Sequence, residues 1–101
     1  MNITNNQKDQ IKTQIKDRLA KEREIQKIVI FGSFTKSNEP NDIDIAVFQN
    51  SDESYLSLAL KYRKLVRDLS KLYPIDVIPL KTNANGSFLD EIKDGETIYE
   101  R

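Results

Sequence analysis

The sequence predicts an α/β fold of the α+β type, a small mixed β-sheet flanked by helices in the order α-β-β-α-β-α. Two long stretches carry apolar residues at helical spacing, whereas three shorter runs are apolar and rich in β-branched residues. Helices and strands that follow one another in so short a chain pack as helices against one sheet. With 101 residues, 38% of them hydrophobic, we expect a single domain over residues 1–101.

The first helix is predicted over residues 5–24. Thr4 and Gln7 have the spacing of a capping box at its start. A narrow apolar face along it indicates a surface helix. The charges between residues 16 and 27 are typical of a solvated helix face with i,i+4 ion pairs. The residues of the narrow face are Ile11, Ile15 and Leu19.

The first two strands are predicted over residues 27–31 and 43–48. The first is apolar throughout, which favours burial on both faces in the middle of a sheet. The residues between the strands are rich in Ser, Asn and Pro, so we expect an ordered loop that fixes where the second strand begins.

A second long helix follows, with Asn50, Ser51 or Asp52 as its cap and Tyr73 as its last residue, because Pro74 prevents continuation. We expect it to cross from the second strand to the third. Its tyrosines are interpreted as core or half-buried residues. The apolar face consists of Leu58, Tyr62, Leu65, Leu69 and Leu72.

The third strand is predicted over residues 75–80. Pro79 indicates that it ends soon or lies at the edge of the sheet. Asp76 lies near its start among apolar neighbours, where a carboxylate is costly to bury unless it is paired or bound to a metal.

A short third helix is predicted to begin at Ser87 and to end at Gly95. Asp90 is interpreted as a capping acid of this helix. A final short strand is predicted over residues 97–99. The predicted inward-facing residues of the helix are Phe88, Leu89 and Ile92.

Composition excludes several classes of function. The chain has no cysteine and no histidine, which excludes disulfide scaffolds, Cys/His zinc sites and histidine-based triads. Its 16 basic and 16 acidic residues balance, so direct binding to long nucleic acid or to a membrane surface is not favoured. Neither a spanning segment nor a secretory signal is recognisable, so we expect a cytoplasmic protein.

Three aspartates form the candidate catalytic and metal-binding site. Because side chains alternate along a strand, Asp42 and Asp44 point to one face at the start of the second strand. Asp76 on the third strand would join them. Carboxylates this close repel one another, so either the pKa of one of them is raised or the group binds a metal ion. Two metal ions held by carboxylate oxygens would suit phosphoryl transfer. Asp42 and Asp44 would hold the metal ion of the nucleotide. Asp76 would complete the second metal site and act as the base for the acceptor hydroxyl.

The turn after the first strand is the candidate nucleotide-binding segment. Gly32 lets the backbone approach phosphates, and the Ser33 hydroxyl can bond to their oxygens. Lys36 is a candidate counter-charge to a triphosphate.

The residues from Phe31-Gly32-Ser33 to Asp42-Ile43-Asp44 resemble the signature of the DNA polymerase beta-like nucleotidyltransferase superfamily, specifically of the minimal nucleotidyltransferase (MNT) proteins. By this resemblance Gly32 and Ser33 are the phosphate-binding pair, Asp42 and Asp44 the metal-binding pair and Asp76 the third carboxylate. Family members often carry Arg-Gly where this chain has Lys36-Ser37.

The resemblance also implies a function. MNT antitoxins of the HEPN/MNT type can transfer AMP from ATP to a tyrosine of a HEPN toxin in a magnesium-dependent reaction. By this resemblance we expect the same activity here, with ATP or another nucleoside triphosphate as substrate and with two Mg²⁺ ions, or Mn²⁺ in their place, bound beside the nucleotide. Other functions remain open: neutralisation of a toxin by binding alone, transfer to a small-molecule alcohol, or nucleotide or metal sensing. Because one side of so small a site lies open, we expect a homo- or hetero-oligomer.

Overall fold

A computed structural model describes residues 2–101, and for Phe88 the backbone only. The predicted α/β class, a small mixed sheet flanked by helices, is confirmed. The inward orientation predicted for Phe88 lies outside the described side chains. The elements are α1 Asn5–Leu19, β1 Ile25–Phe31, α2 Ser33–Lys36, β2 Ile43–Gln49, α3 Tyr55–Leu65, α4 Arg67–Ser70, β3 Ile75–Lys81, α5 Phe88–Lys93 and β4 Glu96–Glu100.

The sheet has four strands in the order β3-β2-β1-β4. β1 pairs antiparallel with both β2 and β4, so it has the central position that its apolar sequence predicted. β2 and β3 are parallel, which confirms that the helical segment between them is a crossover. β3 is an edge strand, in agreement with Pro79.

The two faces of the sheet are covered differently. Alternate residues of β2, including Ile43 and Ile45, face a large core that α1 and α3 close with fully buried side chains such as Ile15 and Tyr62. Ala46 lies on the other face, in a smaller cluster with Ile92 of α5. Since β2 alternates, Asp44 also lies on this second, less covered face.

The first helix is shorter than predicted. It ends at Leu19, and residues 20–24 form turns that lead into β1. Glu22 and Glu24 form ion pairs with Lys61 of α3, and Arg18 pairs with Asp68 of α4. These charged residues were predicted to pair with one another along a single helix. In the structure they pair with residues of other helices instead.

The long second helix is interrupted. Its N-cap is Ser54, whose hydroxyl accepts from the backbone N–H of Ser57, and not a residue between 50 and 52. The helix breaks at Val66, whose φ of −106° and ψ of 15° leave the helical region. Valine is β-branched and has a low helix propensity, and here its side chain is fully buried.

Two further details differ from the sequence-based expectation. The loop after β1 contains the short helix α2. Ser87 precedes α5 but makes no capping bond through its side chain, because its backbone is already helical. The final strand is present and runs from Glu96 to Glu100.

Within residues 2–101, no helix combines the length and apolar character needed to span a bilayer.

Candidate active site

Asp44 and Asp76 are neighbours across the parallel pair of strands β2 and β3. Residues directly opposite in register point to the same face of a sheet, here the face that α3 does not cover. Asp44 is half-buried, whereas Asp42 and Asp76 are exposed. The expectation that Asp76 is embedded among apolar residues is therefore wrong, because β3 is an edge strand and its second face is open at this point.

The electrostatic environment of Asp44 is unfavourable for its charge. Burial raises the pKa of the Asp44 carboxyl, and the negative charges of Asp76, Asp42 and Glu91 raise it further. All three predicted aspartates thus interact through Asp44. A cation bound there would relieve the repulsion, and carboxylate oxygens are ligands that Mg²⁺ and Mn²⁺ prefer.

Gly32 lies directly against this carboxylate. Its φ is +78°, and a Cβ built on it would be 2.7 Å from Oδ2 of Asp44. Only glycine tolerates both the backbone conformation and the close approach. The turn after β1 can therefore pack closely against Asp44 of β2 because residue 32 is glycine.

Ser33 and Lys36 lie on α2, immediately after this glycine. The Ser33 hydroxyl accepts a hydrogen bond from the backbone N–H of Asn41 at 3.3 Å, and its own proton remains able to donate. Lys36 is exposed and borders a cleft of about 400 Å³. This cleft is lined by Phe31, Gly32, Lys36, Asp44, Asp90, Glu91 and Asp94.

Sequence reasoning missed the acidic wall that α5 contributes to the cleft. Glu91 acts on Asp44, and Asp94 lines the same cleft. Asp90, interpreted as a capping acid, forms an ion pair with Lys93 at 3.5 Å and also lines the cleft. The run of acids on a short helix was the available signal, but only the packing of α5 shows which face of the sheet it meets.

Lys8 of α1 was also missed. Its ammonium donates to the carbonyl oxygens of Phe34 at 2.7 Å and Ser37 at 2.6 Å, and lies 5.3 Å from the centre of the Phe34 ring. A cation at the end of a helix satisfies carbonyls that have no partner within the helix. Lys8 therefore fixes the end of the segment that carries Ser33 and Lys36.

The carboxylates of Asp42, Asp44 and Asp76 are suited to a hard cation, although the three side chains do not surround a common point. Among the described side chains, no group of three or more acids forms a ready-made metal site. Mutual repulsion favours separation of uncompensated carboxylates.

A family model described as polymerase beta, nucleotidyltransferase, matches residues 13–101. The chain belongs to this family. The match spans the glycine-serine turn, all three aspartates and α5. For this polymerase beta nucleotidyltransferase domain no curated protein gives a significant match.

Solved structures share the fold. A chain of the complex of tri-AMPylated HEPN toxin from Shewanella oneidensis with MNT antitoxin has a TM-score of 0.69 at 21% identity, covering 93% of this chain and 73% of that one. A mutant toxin-antitoxin complex, MntA-HpeT, gives 0.56 at 20% identity, with coverages of 92% and 72%. The complex MntA-HepT gives 0.52 at 20% identity, with coverages of 93% and 70%.

Proposed function

We propose that this nucleotidyltransferase-family protein is an antitoxin that transfers AMP from ATP to a tyrosine hydroxyl of a HEPN toxin, with Mg²⁺ as cofactor. The observation that carries the proposal is the register of Asp44 with Asp76, together with the cleft that Asp44 and Gly32 line. Support for the partner comes from structures with the same fold, one of which contains a tri-AMPylated HEPN toxin with its MNT antitoxin.

Residues of the cleft and their neighbours in the sheet and the chain divide the reaction between them. The acceptor oxygen forms a bond to the α-phosphorus, the bond to the leaving pyrophosphate breaks, and the hydroxyl proton passes to Asp76 as base. Asp42, Asp44 and Asp76 would hold Mg²⁺, which supplies Lewis-acid stabilisation of the phosphoryl group. The Ser33 hydroxyl donates a hydrogen bond to a phosphate oxygen, and Lys36 neutralises triphosphate charge.

The open cleft favours an acceptor that another protein supplies. Asp42, Asp76 and Lys36 are all exposed, so this chain alone does not exclude water from the reacting groups. A toxin seated over the cleft would exclude it and present its hydroxyl.

The test is transfer of label from ATP labelled at the α-phosphate to a HEPN protein encoded beside this chain, in the presence of Mg²⁺. We expect transfer with the native protein and with the exposed control Asp17→Ala. Asp42→Ala and Asp44→Ala should each reduce transfer at least a hundredfold, because each removes a metal-binding charge. Equal transfer by all four proteins contradicts the proposal.

A second candidate function is neutralisation of the toxin by binding alone. The observation in its favour is that the described acids do not form a ready-made metal site. In that case Asp44→Ala still protects cells that express the toxin. If Asp44→Ala abolishes protection while the complex still forms, binding alone is excluded.

A further inference from the structure

The outer face of α3 is apolar at its middle, and none of the described residues covers it. Leu56 is 65% exposed and Leu60 is 59% exposed, and the two lie one helical turn apart. The opposite face of α3, with Leu58, Ala59 and Tyr62, is buried in the core. Folding of the chain therefore does not account for leucine on both sides of this helix.

Charges of opposite sign flank these leucines. Asp52 and Glu53 precede the helix, and Arg63 and Lys64 occupy its last turn; all four are exposed. Acidic, apolar and basic positions thus follow one another along the helix, and the arrangement is symmetric in spacing about Leu58.

Such a face is complementary to itself when one copy is reversed. In an antiparallel pair centred at Leu58, Leu56 lies opposite Leu60 of the second copy, and Glu53 lies opposite Arg63 of the second copy. Antiparallel helix dipoles also attract. A two-fold axis repeats each contact, which gives an isologous interface. The formal net charge of zero means that no overall repulsion opposes association.

We propose that the protein forms a homodimer through antiparallel packing of α3 against α3 of a second copy. The helix covers the face of the sheet opposite Asp44, so both clefts of the dimer stay open to substrate. The dimer does not depend on the nucleotidyl transfer proposed above.

The test of this pairing is to reverse the flanking charges and to measure the molecular mass by sedimentation equilibrium. We expect the native protein to approach twice its 11.7 kDa mass as concentration rises. A variant with Asp52→Lys and Glu53→Lys should be monomeric, as should a variant with Arg63→Glu and Lys64→Glu, because each sets like charges opposite one another. An equimolar mixture of the two variants should restore a dimer.

Three controls separate the interface from general effects on folding. Circular dichroism verifies that each variant is folded. Leu72→Asp, at another exposed leucine, should leave the dimer intact, whereas Leu56→Asp should dissociate it. Glu53 also forms an ion pair with Lys61 within the chain, as Glu22 does. Glu22→Gln removes such an ion pair without changing the proposed interface, so it should preserve the dimer.

Native protein that is monomeric at every concentration overturns the proposal. A dimer that survives both charge variants, or variants whose mixture stays monomeric while each is folded, overturns it as well. Protection of α3 from hydrogen exchange only when a HEPN protein is added would assign the face to that partner instead.

Discussion

At the scale of single residues, Gly32, which we propose to bind phosphate, lies directly against the carboxylate of Asp44. Gly32 directly follows β1, and the carboxylate it touches belongs to β2, so antiparallel pairing of these strands sets the distance between the two residues. Any side chain at position 32 would push on Asp44 or on the turn. Glycine at position 32 therefore both permits the positive φ of the turn and leaves room for the Asp44 carboxylate.

We predict that Gly32→Ala destabilises the fold by about 1–3 kcal/mol, because alanine is strained at a φ of +78°. Denaturant unfolding measures this loss. Gly86→Ala is the matched control: its φ is +125°, with nothing within 4 Å of the added Cβ. Both variants should lose stability, but only Gly32→Ala should lose binding of Mg²⁺-ATP. Equal nucleotide binding by both would contradict the role of Gly32.

Asp44→Asn is predicted to raise Tm at neutral pH in the absence of metal. Burial and the neighbouring acids raise the folded-state pKa of Asp44 above 3.8, so ionisation of Asp44 opposes folding as pH rises above 3.8. The gain in Tm should shrink as the pH is lowered towards 3.8 and vanish below it. Thermal denaturation across pH measures the effect, and exposed Asp17→Asn serves as control. A gain that is independent of pH would exclude this cause.

At the scale of elements, α1 supports α2. A helix of four residues has too few internal hydrogen bonds to be stable alone. The Lys8 ammonium binds two carbonyls of the α2 segment, and the backbone N–H of Ile3 donates to Asn38 just beyond it. The segment that we propose to bind nucleotide therefore depends on contacts with Ile3 and with Lys8 of α1.

Lys8→Met is predicted to weaken binding of Mg²⁺-ATP about tenfold, or ~1.4 kcal/mol, because α2 loses the cation at its end. Calorimetric titration measures the affinity, and hydrogen exchange at Ser37 should accelerate. Lys8→Arg should restore much of the binding. Lys12→Met is the control: it lies on the same helix as Lys8 and removes an ion pair to Glu96 of β4. Unchanged exchange at Ser37 in Lys8→Met would refute this role, whether or not ATP binds.

Element boundaries show where local propensity gives way. Residues 20–24 are good helix formers, yet α1 ends before them because Glu24 accepts hydrogen bonds from Lys61 and from the buried Tyr62 hydroxyl. Burial raises the pKa of Tyr62, and its hydrogen bond to Glu24 raises it further, so this phenol stays a donor. A bond across two elements outweighs a few tenths of a kcal/mol of propensity per residue.

At the scale of the whole molecule, the two faces of the sheet have different tasks. One face is closed by α1 and α3 over the main core. The other carries Asp44 and Asp76 and is covered only in part by α5, which leaves the cleft accessible. Stability and the candidate chemistry are thus separated by the thickness of one sheet.

We predict that Mg²⁺ and ATP together raise the Tm of the native protein, because a ligand that binds only the folded state stabilises it by mass action, by about 2.7 kcal/mol at a hundredfold excess over Kd. Differential scanning fluorimetry measures the shift. A variant with Asp42→Asn and Asp44→Asn should show no shift. An equal shift in that variant would place nucleotide binding elsewhere on the protein.

The amino-acid sequence was sufficient to predict the strands, the fold class and the placement of Asp44 and Asp76 on neighbouring strands, because alternation along strands and a parallel crossover leave few arrangements. Only the tertiary structure decided that Asp76 is exposed, that Glu91 faces Asp44, that Lys8 holds α2 and where α1 ends. These features depend on contacts between residues distant in sequence. Periodicity reports which face of an element is buried, but not which side chains of another element meet it.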